Sequence, residues 1–472
     1  MEIYNRLVKN YMKYVIPVGA GVIITVATVV FVLFSPLHPY NDLLESIAEI
    51  AYSAEILASS EVSSPMEISE IVINGTETTN RSPEIAWFEG FEEHTTLEET
   101  EQATEQEIEQ EIIQEIEQET AQKIDEITAM LNQMTLREKL GQLIIVAMPS
   151  KSRATTLIED YNISGFIFFG ADITTIEEIQ QLTTDLQAAA AIPLFIAVDE
   201  EGGRVSRVGR LFSENIGTAL SMAQSGAQNV YENYRTIGER LALLGFNMNF
   251  APVADIWTNP SNTVIGDRAF GREPAEVAEM VIAAVEGLQS VGILPILKHF
   301  PGHGDTYEDS HDYLATYRHD WERFENVESV PFRAGLQAGA EGVMVGHIAT
   351  PLLTEDDLPA VFSEYLLTEI IRNTWQFDGL IITDALDMRG LTNNFSTEDI
   401  VISTFLAGAD ILLMPPNPEQ TIETLLQAYE NGVIPAEIFE ERLNSAVERI
   451  LHVKAQYSIY SNNFELVELE TD

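Results

Sequence analysis

Residues 293–300 read "ILPILKHF". The run opens with apolar side chains and has no polar face, as expected of a strand covered on both sides in a parallel sheet. It ends in Lys298 and His299 rather than in a turn. Seven further runs share this texture: "LIIVAM" (143–148), "GFIFFG" (165–170), "PLFIAVD" (193–199), "FNMNFAPVAD" (246–255), "GVMVGH" (342–347), "GLIITDA" (379–385) and "DILLMP" (410–415). Helix-like stretches stand between them, such as "TTIEEIQQLTTDLQAAAA" (174–191) and "EVAEMVIAAVEGLQSVG" (276–292). Eight such units in series predict an α/β fold, a closed (β/α)8 TIM-type barrel of about 330 residues. The expected barrel occupies 133–460, with a last helix over 437–457 and an acidic tail over 461–472. The chain ends soon after the eighth unit, so no second catalytic domain is expected downstream. An open doubly wound sheet is the alternative, but no GxGxxG fingerprint follows the first strand.

The segment before the barrel has a different composition. Val15 to Phe34 carries no charge and is long enough to span a bilayer as a helix. Arg6, Lys9 and Lys13 precede it, so the N-terminal tip is expected in the cytoplasm and the rest outside the cell. Residues 1–39 are thus expected to be a tip and a single-pass anchor. A cleaved signal peptide and secretion are the alternative, although "FSPLHPY" offers no small-x-small cleavage site.

Residues 40–132 are expected to be an acidic spacer, disordered or partly helical. From Glu89 to Glu126 only Lys123 is basic, which argues against an independent core. Ile108, Ile112 and Ile116, then Ile124 and Ile127, recur at helical spacing. Self-association through such a spacer helix is one reading, and a solvated, partly helical linker is the other.

The formal net charge of −50 argues against nucleic acid or an anionic membrane surface as partner. There is no cysteine, which excludes disulfides, thiolate chemistry and a lipid anchor on cysteine.

In a barrel of this type the chemistry sits at the C-terminal ends of the strands. The third run ends in Asp199, followed by "EEGGRVSRV". The fourth ends near Asp255 and leads to "VIGDRAFG", with Asp267 and Arg268. The fifth ends in Lys298 and His299, the sixth in His347 and the seventh in Asp384. One such residue could be a helix cap. Polar groups at five strand ends converge on one place and predict a shared site. By residue type alone Asp384 could be a cap, a nucleophile or a metal ligand.

The loop after the fifth run, "KHFPGHGDTYEDSH" (298–311), holds three of the chain's eight histidines. A metal site would need several converging ligands and an open position. His299 and His303 are four apart, but Pro301 and Gly302 break any helix that would align them, and the first run has no HxH pair. No metal and no cofactor are expected. An acid–base reading suits the loop better. Asp309 and His311 are separated by one residue and can point to one side of an extended loop. A carboxylate beside an imidazole fixes its tautomer and supports its protonated form. An incidental surface pair is the bland alternative.

Together, "VDEEGGRVSRV", "FNMNFAPVADI", "VIGDRAFG", "KHFPGHGDTYEDSH", "EGVMVGHI" and "ITDALDM" resemble glycoside hydrolase family 3, and within it the β-N-acetylhexosaminidase branch, over residues 134–457. The resemblance implies that Asp384 is the nucleophile, that His311 is the acid–base group and that Asp309 is its partner. It implies that Asp199, Arg207, Arg268, Lys298 and His299 bind the sugar, and that Asp267 and His303 brace the loops. It also implies a retaining exo-β-N-acetylglucosaminidase acting on cell-wall fragments or chitin oligomers. The alternatives are a β-glucosidase-type member, a phosphorylase that uses phosphate in place of water, and a sugar-binding module without catalysis.

Overall fold

The computed structural model describes Gln122, residues 124–310 and residues 313–461. The expected membrane span, most of the spacer, His311 and residues 462–472 lie outside the described residues. Among the described residues no helix is long and apolar enough to cross a membrane.

Each of the eight apolar runs contains one barrel strand. In chain order these are β1 (Ile144–Ala147), β2 (Gly165–Phe168), β3 (Phe195–Val198), β4 (Met248–Asn249), β5 (Leu294–Phe300), β7 (Gly342–Val345), β9 (Leu380–Thr383) and β10 (Leu412–Leu413). All are parallel, in the order β10-β1-β2-β3-β4-β5-β7-β9. A single parallel bridge, Ile382↔Ile411, joins β9 to β10, so the ring is near-closed. The strands are buried along their length because the ring interior fills one face and the helices cover the other.

Two local departures shape the site. β4 is only two residues long, and Pro252, which has no N–H to give to a ladder, lies shortly after it. The β5–β7 register shifts between Leu297 and Phe300, so Lys298 and His299 stand in an irregularity of the ladder. A two-stranded parallel sheet also forms outside the barrel, pairing β6 (Ala315–Thr316) with β8 (Ile348–Ala349). It ties the end of the loop after β5 to the chain that follows β7.

The helix over 124–133 sends Ile127 and Leu131 into the main core. At the other end, the helix Ala436–Ser461 crosses the N-terminal face of the ring. Its Arg442 and Arg449 reach Asp410, just ahead of β10, and its Lys454 donates to Gln142 Oε1 and to the Ser164 carbonyl, each at 2.9 Å.

Candidate active site

The bulge in β5 sets the geometry. Consecutive residues of a regular strand point to opposite faces, yet Lys298 and His299 both enter one polar cluster. Lys298 Nζ donates to Asp199 Oδ1 at 2.6 Å and lies 2.7 Å from Glu201 Oε1. Asp199 and Glu201 come from the end of β3. Arg268, in the loop after β4, grips the Glu201 carboxylate with two bonds of 2.8 Å, from Nε and from Nη2. Arg268 Nη2 also lies 3.4 Å from His299 Nε2.

Burial opposes the ionised form of Glu201, but Lys298 and Arg268 outweigh it and hold the carboxyl well below its usual range. Lys298 shows the converse: burial favours the neutral amine, yet Asp199 and Glu201 raise its pKa. Two cations and two carboxylates thus balance inside the ring. Of the four, Asp199 keeps the largest exposed side-chain fraction, 18%.

Asp255 organises the histidines. Its Oδ2 lies 2.7 Å from His299 Nδ1 and also accepts the His299 backbone N–H, while Oδ1 accepts the His303 N–H at 2.6 Å. Burial works against the charge on Asp255, but the histidines prevail and lower its pKa. His299 is therefore oriented through Nδ1, leaving Nε2 toward Arg268.

His303 is fully enclosed. Its Nδ1 lies 2.6 Å from Thr306 Oγ1 and its Nε2 lies 3.0 Å from Ser310 Oγ. Burial and the neighbouring His299 lower its pKa, against a smaller opposing pull from Asp255 and Asp384. With both ring nitrogens engaged by hydroxyls, it acts as a brace for the loop after β5.

The remaining residues take these places. Asp384 follows directly on β9; its N–H donates to the Val345 carbonyl and its Oδ1 accepts the Ala385 N–H at 2.8 Å. His347 Nε2 sits 2.8 Å from the Ala385 carbonyl, so the sixth run's histidine supports the Asp384 turn. The Arg207 guanidinium stands 5.9 Å from the Phe169 ring centroid, and its Nε has no hydrogen-bond partner among the described residues. Asp267 pairs with Arg204 at 2.9 Å on the rim, where Arg204 also binds three consecutive carbonyls, those of residues 263–265. Asp309 lies in the loop after β5 and accepts the Tyr313 N–H through its carbonyl.

The profile described as "Glycosyl hydrolase family 3 N terminal domain" matches residues 135–453. The chain belongs to glycosyl hydrolase family 3. It is 35% identical over 329 residues to "Beta-hexosaminidase A" of Pseudoalteromonas piscicida, covering 64% of this chain and 54% of that protein. It is also 35% identical over 307 residues to "Beta-hexosaminidase LpqI" of Mycobacterium tuberculosis, covering 63% of this chain and 78% of that one. Among solved structures, a family 3 β-N-acetylglucosaminidase from Paenibacillus sp. str. FPU-7 superposes with a TM-score of 0.66 at 34% identity, covering 72% of this chain and 65% of that one.

Within this family 3 barrel, sequence reasoning passed over Glu200 and Glu201. Glu200 accepts the N–H groups of Arg207 and Val208 and the Ser206 hydroxyl, and so shapes the loop that carries Arg207. Burial raises its pKa, and those bonds partly offset the effect. Asn249 clasps the Glu200 backbone from the end of β4, accepting its N–H and donating to its carbonyl, each at 2.9 Å. The available signal was the density of carboxylates in "VDEEGG". What the string could not show is that Asp199 and Glu201 converge on Lys298 while Glu200, between them, holds the loop that carries Arg207.

Proposed function

We propose that this family 3 chain is a retaining exo-β-N-acetylglucosaminidase. The observation that carries the reading is the balanced cluster Asp199–Lys298–Glu201–Arg268 with His299, at the same barrel end as Asp384. Such a cluster offers both donors and acceptors to sugar hydroxyls from fixed positions, which favours one binding pose. The relatives named β-hexosaminidase and β-N-acetylglucosaminidase support N-acetylglucosaminides as the substrate class.

In the proposed reaction the Asp384 carboxylate attacks the anomeric carbon while an acid protonates the departing oxygen. The glycosyl–Asp384 ester forms as the glycosidic bond breaks. Water then cleaves the ester, and the former acid takes the proton from that water. The acid–base role is assigned to His311, with Asp309 as its partner, because an imidazole beside a carboxylate can hold and release this proton near neutral pH. His311 is carried by the loop that His303 and Thr306 brace. The acceptor is water, and the substrate is a cell-wall fragment or chitin oligomer with N-acetylglucosamine at its non-reducing end. On the same reading Val15–Phe34 tethers the barrel outside the cell; protease shaving of intact cells should remove it, and protection would reject that placement.

Asp384→Asn tests the nucleophile. We expect aryl N-acetylglucosaminide cleavage to fall by about 10³-fold or more, with thermal unfolding unchanged. A fluorinated sugar should label the wild-type peptide that contains Asp384. Retention of activity in the variant, or labelling elsewhere, would reject the assignment.

A further inference from the structure

Asn262, in the loop after β4, is 3% exposed. A buried carboxamide must find partners for both its oxygen and its nitrogen. In Asn262 the two ends serve different loops. Oδ1 accepts the backbone N–H groups of Val264 and Ile265, at 3.0 and 2.9 Å. Two N–H donors identify that end as the oxygen, so the nitrogen faces the other way. Nδ2 donates to the His303 carbonyl at 2.7 Å and lies 3.4 Å from the Thr306 hydroxyl. The Asn262 backbone is held as well: its N–H donates to the Asn259 carbonyl at 3.0 Å, and its own carbonyl accepts Trp257 Nε1–H at 3.1 Å.

The oxygen leads to Arg268. The Ile265 carbonyl accepts the Arg268 backbone N–H at 3.0 Å, and the Val264 carbonyl accepts from Arg268 Nη1 at 3.2 Å. The two residues whose N–H groups Asn262 holds are thus the two whose carbonyls hold Arg268. Arg204 grips the same carbonyls from the rim, but its side chain is 45% exposed and its bonds compete with water. From this seat Arg268 makes its paired bonds to Glu201 and approaches His299. A guanidinium is a rigid fork, so a shift of its seat changes which donors point at a ligand.

The nitrogen leads elsewhere. Through the His303 carbonyl it anchors Asn262 on the loop after β5, whose His303 N–H is in turn bound by Asp255. That bond fastens one loop to the other and leaves the delivery of Arg268 to the oxygen.

We propose that Asn262 is a positioning residue for sugar binding: its side-chain oxygen sets the turn at Val264 and Ile265 that seats Arg268. This rests on the glycosidase reading above, in which Arg268 binds the inner sugar. Asn262 acts through Arg268, because both ends of its carboxamide are already bonded to the protein.

The test reads binding without turnover, by titrating the full chain with N-acetylglucosamine. Asn262→Ala should raise Kd by about ten-fold, the worth of one to two buried hydrogen bonds. In an Arg268→Lys background, which keeps the charge and loses the fork, the same substitution should change Kd by less than about two-fold, since the route is already cut. Asn262→Asp separates positioning from stability. It keeps an oxygen for the two N–H groups but has no donor for the His303 carbonyl, so Tm should fall while Kd stays within about two-fold of wild type. This near-isosteric variant decides the matter even where alanine unfolds the loop. An unchanged Kd in Asn262→Ala, an equal loss in both backgrounds, or a ten-fold loss in Asn262→Asp overturns the positioning role. Failure of the wild-type chain to hydrolyse an aryl N-acetylglucosaminide overturns instead the glycosidase reading on which it rests.

Discussion

At the scale of single residues, the central feature is an ion cluster in which no member can be removed cleanly. Glu201 is 2% exposed and holds two buried cations. Glu201→Gln leaves Lys298 and Arg268 with Asp199 as the remaining carboxylate of the cluster. Breaking a buried pair from one side costs about 3–5 kcal/mol, because the orphaned charge stays desolvated. We expect a clear fall in the denaturant midpoint for Glu201→Gln and a smaller one for Asp199→Asn, whose side chain already meets solvent. Equal midpoints for wild type and Glu201→Gln would mean that these charges are not locked together. The sequence could point to "VDEEGG" as polar but not to which carboxylate does what. Gly202 and Gly203 adopt φ of 83° and 55°, a region open to glycine, and so turn the chain sharply after Glu201. A side chain at Gly202 would also meet the Gly217 carbonyl at 2.6 Å.

At the scale of elements, the strands were legible and the links between them were not. Every apolar run holds a strand, since burial on both faces leaves a local compositional trace. The β6–β8 pair left none: it is two residues long on each side and is fixed by the ends it joins. The same holds for the seat of the loop after β5 on Gly390. Gly390 lies within the short helix Arg389–Thr392, where alanine would suit the backbone. It would nonetheless drive Cβ against the carbonyls of Ser310 and Tyr313. Gly390→Ala should therefore lower activity by about ten-fold or more through displacement of the loop, with only a modest change in Tm. Full activity in this variant would show that the loop's seat is not needed for turnover.

At the scale of the whole molecule, the two ends of the barrel do different work. The C-terminal ends of the strands hold the ion cluster and Asp384. The N-terminal ends are bound by the helix Ala436–Ser461, which spans the closure point through Asp410 and reaches β7 through Glu341. Glu341 accepts from Gln456 Nε2 at 2.9 Å, and burial outweighs that bond and pushes its carboxyl up to about 7. Its folded pKa stands above the ordinary value of 4.5, so the folded state holds the proton more tightly. The stability this provides is complete below about 4.5 and disappears as pH rises through about 7. His303 acts in the opposite sense. Its lowered pKa favours the neutral ring, so its contribution falls as pH drops below about 6.5. Glu341→Gln should remove the Glu341 slope alone, so the Tm difference between variant and wild type should change steadily between about pH 4.5 and pH 7. A difference independent of pH would show that Glu341 does not dock the helix in its protonated form.

The sequence by itself determined the number of barrel strands, their burial on both faces and the gathering of polar residues at their ends. All three are written in short windows of chain, where periodicity and composition act locally. Tertiary structure alone decided that Lys298 and His299, though adjacent, serve one cluster, because a register shift against β7 is a property of two strands. It also chose the partners: Arg268 meets Glu201 across 67 residues, and Lys298 meets Asp199 across 99. Such pairs form because the ring closes, and ring closure carries no local signature in the chain.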